Sequence, residues 1–200
     1  MSDWRMVCEA CRHEEPLDTA AWRCPNCGGA FGITGPDRLD PAAIDRAAPG
    51  LWRYRAVLPV PLDAAHPLGE GMTPLVPGTL LGRRVLFKLD GLLPTGSFKD
   101  RGAVVLVAHL RRLGRRRIIV DSSGNAAAAM AGYSAAAGLA CTVYAPASAS
   151  PGKLVQSRAY GATVVPVEGN REAVAAAAQQ AAAADPTAFY ASHNWHPVFV

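Results

Sequence analysis

Short apolar runs alternate with glycine-stopped helical stretches through the second half of this chain, and no other feature restricts its fold as much. Ile118–Asp121, Ala140–Ala145, Ala162–Val167 and Ala188–Ala191 read as strands. Between them, helices are predicted over Ala126–Ala137, Pro151–Tyr160 and Arg171–Ala184, and Gly138 and Gly161 stand where a left-handed residue ends a helix. The alanine tract Ala175–Ala184 reads as helix because alanine has the highest helix propensity. Strands joined by whole helices cannot pair as hairpins, so the pattern predicts an α/β fold with a parallel sheet covered by helices on both faces. A further helix from Lys99 to about Leu113 and a strand over Arg84–Leu89 extend the pattern toward the N-terminus. Cys141 falls within a strand and reads as a small hydrophobe.

The other cysteines form two pairs, Cys8-Glu-Ala-Cys11 and, twelve residues on, Cys24-Pro-Asn-Cys27. Each pair brings two thiolates to one tetrahedral ion, so residues 1–32 read as a zinc ribbon with Cys8, Cys11, Cys24 and Cys27 as ligands. Four thiolates close the coordination sphere, which makes the zinc structural and leaves His13 spare. Residues 33–64 read as a linker and arm, with a short helix over 40–46 begun by Pro41. Residues 65–200 carry the main α/β unit, its small parallel-sheet domain spanning about 102–200.

Half of the chain is hydrophobic, 18% is charged, and the net charge is only +4, which excludes disorder as the main state. There is no run of about eighteen apolar residues that would cross a membrane. Met-Ser-Asp-Trp-Arg lacks a secretory signal pattern, and metal-type cysteine spacing suits a reducing compartment, so a soluble cytoplasmic protein is expected. Arg111, Arg112, Arg115, Arg116 and Arg117 form a basic run, but without interleaved aromatics it reads as the solvated end of a helix and not as a nucleic-acid site.

Two strand-to-helix junctions hold the chemistry. In open parallel sheets, ligands bind where strands end and helices begin. At Asp121-Ser122-Ser123-Gly124-Asn125, free backbone amides and the helix dipole favour an anion such as a carboxylate, and Asn125 adds a donor and an acceptor. At Pro94-Thr-Gly-Ser-Phe-Lys99-Asp-Arg-Gly102, Lys99 opens a helix after a small-residue loop. A positive helix end and desolvation favour the neutral amine, as a Schiff-base lysine requires. The other two lysines are less suited, since Lys88 lies in a strand and Lys153 in the first turn of a helix.

At these residues the chain resembles threonine synthase, a fold-type-II pyridoxal-phosphate enzyme related to the tryptophan synthase β chain. The likeness runs from Glu70-Gly-Met-Thr-Pro-Leu75 through Ser192-His-Asn194, and some members also begin with a cysteine ribbon. The resemblance implies that Lys99 bonds the cofactor and that Asn125 hydrogen-bonds the cofactor's phenolic oxygen. It also implies that Ser122, Ser123 and Gly124 hold the substrate carboxylate. Arg101 is open to two readings, a cation near the substrate phosphate or a structural salt bridge.

The implied reaction converts O-phosphohomoserine and water to threonine and phosphate. The implied partners are an amino-acid substrate and a second copy in a homodimer of the full-length form, with neither nucleic acid nor membrane. Leu93, Met72 and His196 stand where the family often carries Asn, which bears on substrate choice. A related serine/threonine dehydratase or β-replacement synthase is the rival reading, and an inactive zinc-ribbon binding module is the rival of another class. The family's cofactor-phosphate loop and pyridine-nitrogen partner come after Val200, so the fold is expected to be incomplete at the C-terminus and the chain a fragment.

Overall fold

A computed structural model describes residues 4–36 and 38–199. Met1, Ser2 and Asp3, which open the N-terminal Met-Ser-Asp-Trp-Arg segment, and Val200 lie outside the described residues.

The cysteine-bearing segment forms a three-stranded antiparallel sheet of β1 (Arg5–Cys8), β2 (Glu14–Pro16) and β3 (Phe31–Thr34), with β1 in the centre. Its apolar side chains Met6, Leu17 and Phe31 are buried in the same cluster as Trp52, Leu106 and Ile118, so this unit packs onto the main core. The connecting segment is made of short 3-10 turns. The helix predicted over 40–46 is one such turn, Pro41–Ala43, capped by the Asp40 carboxylate on the amide of Ala42. Ile44 is already extended, which stops it there. The arm is also mostly 3-10, over Gly50–Val57, and it buries Trp52.

An antiparallel hairpin follows, β4 (Leu75–Leu80) with β5 (Arg83–Lys88). Only β5 is expected from the sequence. Residues 69–75 read as a turn-rich loop, and Pro77 and Gly78 hide the rest of β4, being residues that ordinarily disfavour strands.

The main sheet has the order β8-β7-β6-β9, all parallel: β6 (Arg117–Asp121), β7 (Ala140–Pro146), β8 (Thr163–Val167) and β9 (Ala188–Tyr190). The helices are α1 (Lys99–Arg112), α2 (Asn125–Ala136), α3 (Pro151–Ala159) and α4 (Arg171–Ala184). Helix α2 is buried continuously from Ala126 to Ser134, packed between the sheet, α1 and α3. Its alanines let these neighbours approach closely, and a helix apolar all round is stable only in such a place. Helix α4 lies against β6, β7, β8 and β9 and carries the chain back past two strands. With right-handed crossovers, that reversal puts α4 on the opposite face from α2 and α3. The arrangement is the α/β sheet, helix-covered on both faces, that the alternation predicts.

The basic run is divided by the end of α1. Arg111 and Arg112 complete its last turn, Gly114 takes φ +70°, and Arg117 opens β6 in an ion pair with Asp185 at 3.3 Å. Arg115 donates to the carbonyl of Pro186 at 3.2 Å. The run is thus not one solvated helix end, because two of its five arginines tie the start of β6 to the turn before β9. Among the described residues no helix is long and apolar enough to cross a membrane.

Candidate active site

The strand order turns back between β6 and β9, and a crevice opens at the carboxyl ends of strands at such a switch point. Helix α1 runs into β6 and α2 leaves it, so both helices begin at that edge of the sheet. The turn Ser122–Gly124 follows β6, and Ser192 and His193 follow β9.

Lys99 is the first residue of α1 and is half-buried. Its ammonium lies 4.8 Å from the Phe98 ring centre and 5.5 Å from that of Phe199. The loop before it is tightly tied. Asp100, fully buried, accepts from the amide of Thr95 at 2.7 Å and also from the Thr95 hydroxyl. Burial holds its carboxyl above the usual carboxylate range, with the Thr95 bonds opposing that shift. Gln156 of α3 donates to the Thr95 carbonyl at 2.8 Å, and Gly96 at φ +86° makes the turn. Lys99 therefore projects from a rigid loop.

Arg101 makes a two-pronged ion pair with Asp90, both contacts at 2.8 Å. This bond, more than any other contact, pulls Asp90 down to about 2. Thr73 adds a hydroxyl bond to Asp90 at 2.9 Å. Two residues along a helix lie on nearly opposite sides, so Arg101 faces the β4–β5 hairpin side and not the crevice. Of its two readings, the geometry takes the structural salt bridge. Lys88 is engaged as well, donating to the Thr73 carbonyl at 2.5 Å.

On the β6 side, Ser122 and Ser123 are half-buried, while Gly124 and Asn125 are exposed. Gly124 is the N-cap of α2 without a side-chain cap, and open space surrounds the position a Cβ would take. The first amides of α2 lack intrahelical acceptors, and Gly124 leaves them accessible to an anion.

Three residues that the sequence analysis did not single out complete the crevice. Asp121 is buried and paired with Arg171 of α4 at 3.0 Å. His193 is half-buried and stays neutral. Burial, and then the charge of Lys99, push it down to about 4. Its ring centre lies 5.9 Å from that of Phe199, so one phenyl ring adjoins both Lys99 and His193. Position directly after a strand at the switch point is the signal that could have found His193.

In the N-terminal unit the four cysteine sulfurs all lie within 4.8 Å of one another, with Cys8–Cys27 at 3.5 Å and Cys11–Cys24 at 3.6 Å. Thiolates on one tetrahedral zinc at about 2.3 Å stand roughly 3.8 Å apart, so the set fits such an ion. The His13 amide holds Cys11 down at about 6. The Gly29 amide pulls Cys27 the same way, but the thiols of Cys11 and Cys8 outweigh it and push Cys27 up to about 12. Thiols this close need a cation before all can ionise. Cys141, by contrast, is buried in β7, which pushes its thiol up to about 12.

An amine on a rigid helix start, an anion cradle and a neutral imidazole at a sheet switch point define a cofactor-binding α/β enzyme site. The chain belongs to the pyridoxal-phosphate dependent enzyme family, whose model matches residues 67–200. It is 45% identical over 126 residues to the threonine synthase of Halalkalibacterium halodurans, covering 60% of this chain and 36% of that protein. It is 32% identical over 176 residues to the threonine synthase of Methanosarcina acetivorans, covering 84% of this chain and 43% of that protein. Among solved structures it resembles a pyridoxal 5'-phosphate-dependent aspartate racemase (TM-score 0.53, 33% identity), covering 60% of this chain and 39% of the racemase. A hydrogen sulfide-producing enzyme of Fusobacterium nucleatum is also similar (TM-score 0.56, 26% identity), covering 60% of this chain and 42% of that one. The chain spans about two fifths of the length of the curated relatives it matches.

Proposed function

We propose that this chain is the lysine-bearing part of a threonine synthase-like lyase that converts O-phosphohomoserine and water to threonine and phosphate. The observation that carries the reading is Lys99 at the switch point, beside His193 and the Ser122–Asn125 turn, in a chain similar to threonine synthases.

The donor set suits pyridoxal phosphate: one free amine on a rigid helix start, a carboxamide at a neighbouring one, and aromatic rings beside the amine. When bound, that cofactor supplies an electron sink that eases proton removal next to the substrate amine. With pyridoxal phosphate bound, Lys99 would hold it and would carry protons at the substrate's α and β carbons, while phosphate would leave the γ carbon and water would add at the β carbon. Asn125 would orient the cofactor through its phenolic oxygen. The amides of Ser122, Ser123 and Gly124 take the substrate carboxylate. Buried Phe199 shields one side of the amine from water, which helps keep its proton transfers directed.

Cys8, Cys11, Cys24 and Cys27 hold a structural zinc in a ribbon over residues 1–32. The linker and arm then span 33–64 and the catalytic part 65–200, with the small domain from about 102. The working form of the protein is a cytoplasmic homodimer. The test is incubation of pyridoxal-phosphate-loaded protein with O-phosphohomoserine, following phosphate and threonine. Keto acid from serine or threonine would assign a dehydratase, and neither product would leave a binding module.

A further inference from the structure

A cleft of about 730 Å³ lies between the loop carrying Trp22 and Arg23, the C-terminal half of α4 and strand β9. It is on the α4 face of the sheet and shares no lining residue with the Lys99 crevice. From its walls we infer that it binds a small organic anion, a carboxylate or phosphate carried on a flat or apolar body.

The charge of the lining gives the sign. Arg23 and Arg115 line the cleft, and none of its lining residues is acidic. The acid adjoining it in sequence, Asp185, is already held by Arg117 at 3.3 Å and by the Thr187 hydroxyl at 2.6 Å. Arg115 is positioned by its bond to the Pro186 carbonyl, yet its buried Nε has no partner among the described residues. Tyr190, 2% exposed, brings its ring to the same wall beside Gln179. A buried donor left unpaired costs about 1–3 kcal/mol, so the Arg115 Nε calls for an acceptor such as an anionic oxygen.

The rest of the lining sets the body of the ligand. Trp22 meets Tyr190 edge to face at 4.7 Å, and the Arg23 guanidinium lies 4.7 Å from the Trp22 ring centre. Ala176, Ala183 and Phe189 supply a smooth apolar surface, and the volume falls within the usual range of small-molecule pockets.

Benzoate and phenyl phosphate are suitable probes, with neutral benzamide as the control. Calorimetric titration of the pyridoxal-phosphate-loaded protein should show one site for at least one of the anions, with benzamide at least about tenfold weaker. Arg115→Gln should weaken that binding about tenfold, the loss of one charge-assisted contact. Ala183→Trp, which fills the cleft and leaves Arg115 in place, should abolish it, so the reasoning does not depend on one variant folding well. Failure of both anions to bind would overturn the inference, as would benzamide binding equally well or an affinity unchanged in the filled variant. None of these results depends on which amino acid the enzyme converts.

Discussion

Gly102, three residues beyond Lys99, is where a single methyl group should disturb the Lys99 crevice. A Cβ there would sit 2.2 Å from the carbonyl oxygen of Phe199, 3.0 Å from its Cδ1 and 3.1 Å from its carbonyl carbon. Backbone atoms do not tolerate such contacts, so the Phe199 segment must retreat by about 1 Å or more to reach ordinary separations. Overpacking of this kind costs about 1–3 kcal/mol. Replacing a mid-helix glycine by alanine recovers about 0.5–1 kcal/mol through backbone entropy. The balance predicts that Gly102→Ala lowers stability by about 1 kcal/mol, or roughly 2–4 °C in melting temperature for a chain of this size. Gly152 in α3 is the control, since nothing lies within 4 Å of its Cβ position. Gly152→Ala should therefore raise the melting temperature. Because Phe199 lies 5.5 Å from the Lys99 ammonium, Gly102→Ala should also slow the bonding of pyridoxal phosphate to Lys99. Calorimetric melting of both variants and an absorbance titration with the cofactor measure the two effects. A Gly102→Ala protein that melts as high as Gly152→Ala, with cofactor bonding unchanged, would refute the reasoning.

Borohydride reduction with pyridoxal phosphate should place the label on the Lys99 peptide, and Lys99→Ala should abolish it. A label on Lys88 or Lys153 with Lys99 free would sink the catalytic assignment. Purified protein should hold about one zinc per chain by elemental analysis, and Cys24→Ser should lose it and melt several degrees lower; a metal-free protein of unchanged stability would count against the ribbon. His109, His193 and His196 are held at about 4, 4 and 3, mainly by burial, whereas the unfolded chain protonates near 6.5. Between those values the unfolded state binds more protons, so stability falls as pH drops from 6.5 toward 4, by up to about 1.4 kcal/mol per unit for each histidine. Melts from pH 7 to pH 5 should show that slope, and His196→Asn should flatten it; a flat profile in the unsubstituted protein would contradict the assignment. Tyr133 donates to the buried Glu70 carboxylate at 2.9 Å, so Tyr133→Phe should cost about 1.5–3 kcal/mol in a denaturant titration.

The α/β class, the parallel pairing and the start of α1 at Lys99 were legible in the sequence because they rest on local signals. Periodicity, glycine stops and the cost of joining parallel strands act within a few residues of one another. The cysteine pairs were legible for the same reason, their spacing being short and chemically specific. The hairpin strand β4 was not, because Pro77 and Gly78 argue against a strand and only pairing with β5 overrides them. Strand order was also beyond a linear reading, since nothing local says that β9 returns beside β6. That return decides the site: it sets His193 near Lys99 and brings Arg171 to Asp121, while the turn before α1 leaves Arg101 facing Asp90. Charges far apart in sequence choose partners by distance and desolvation, quantities that exist only once the chain has folded.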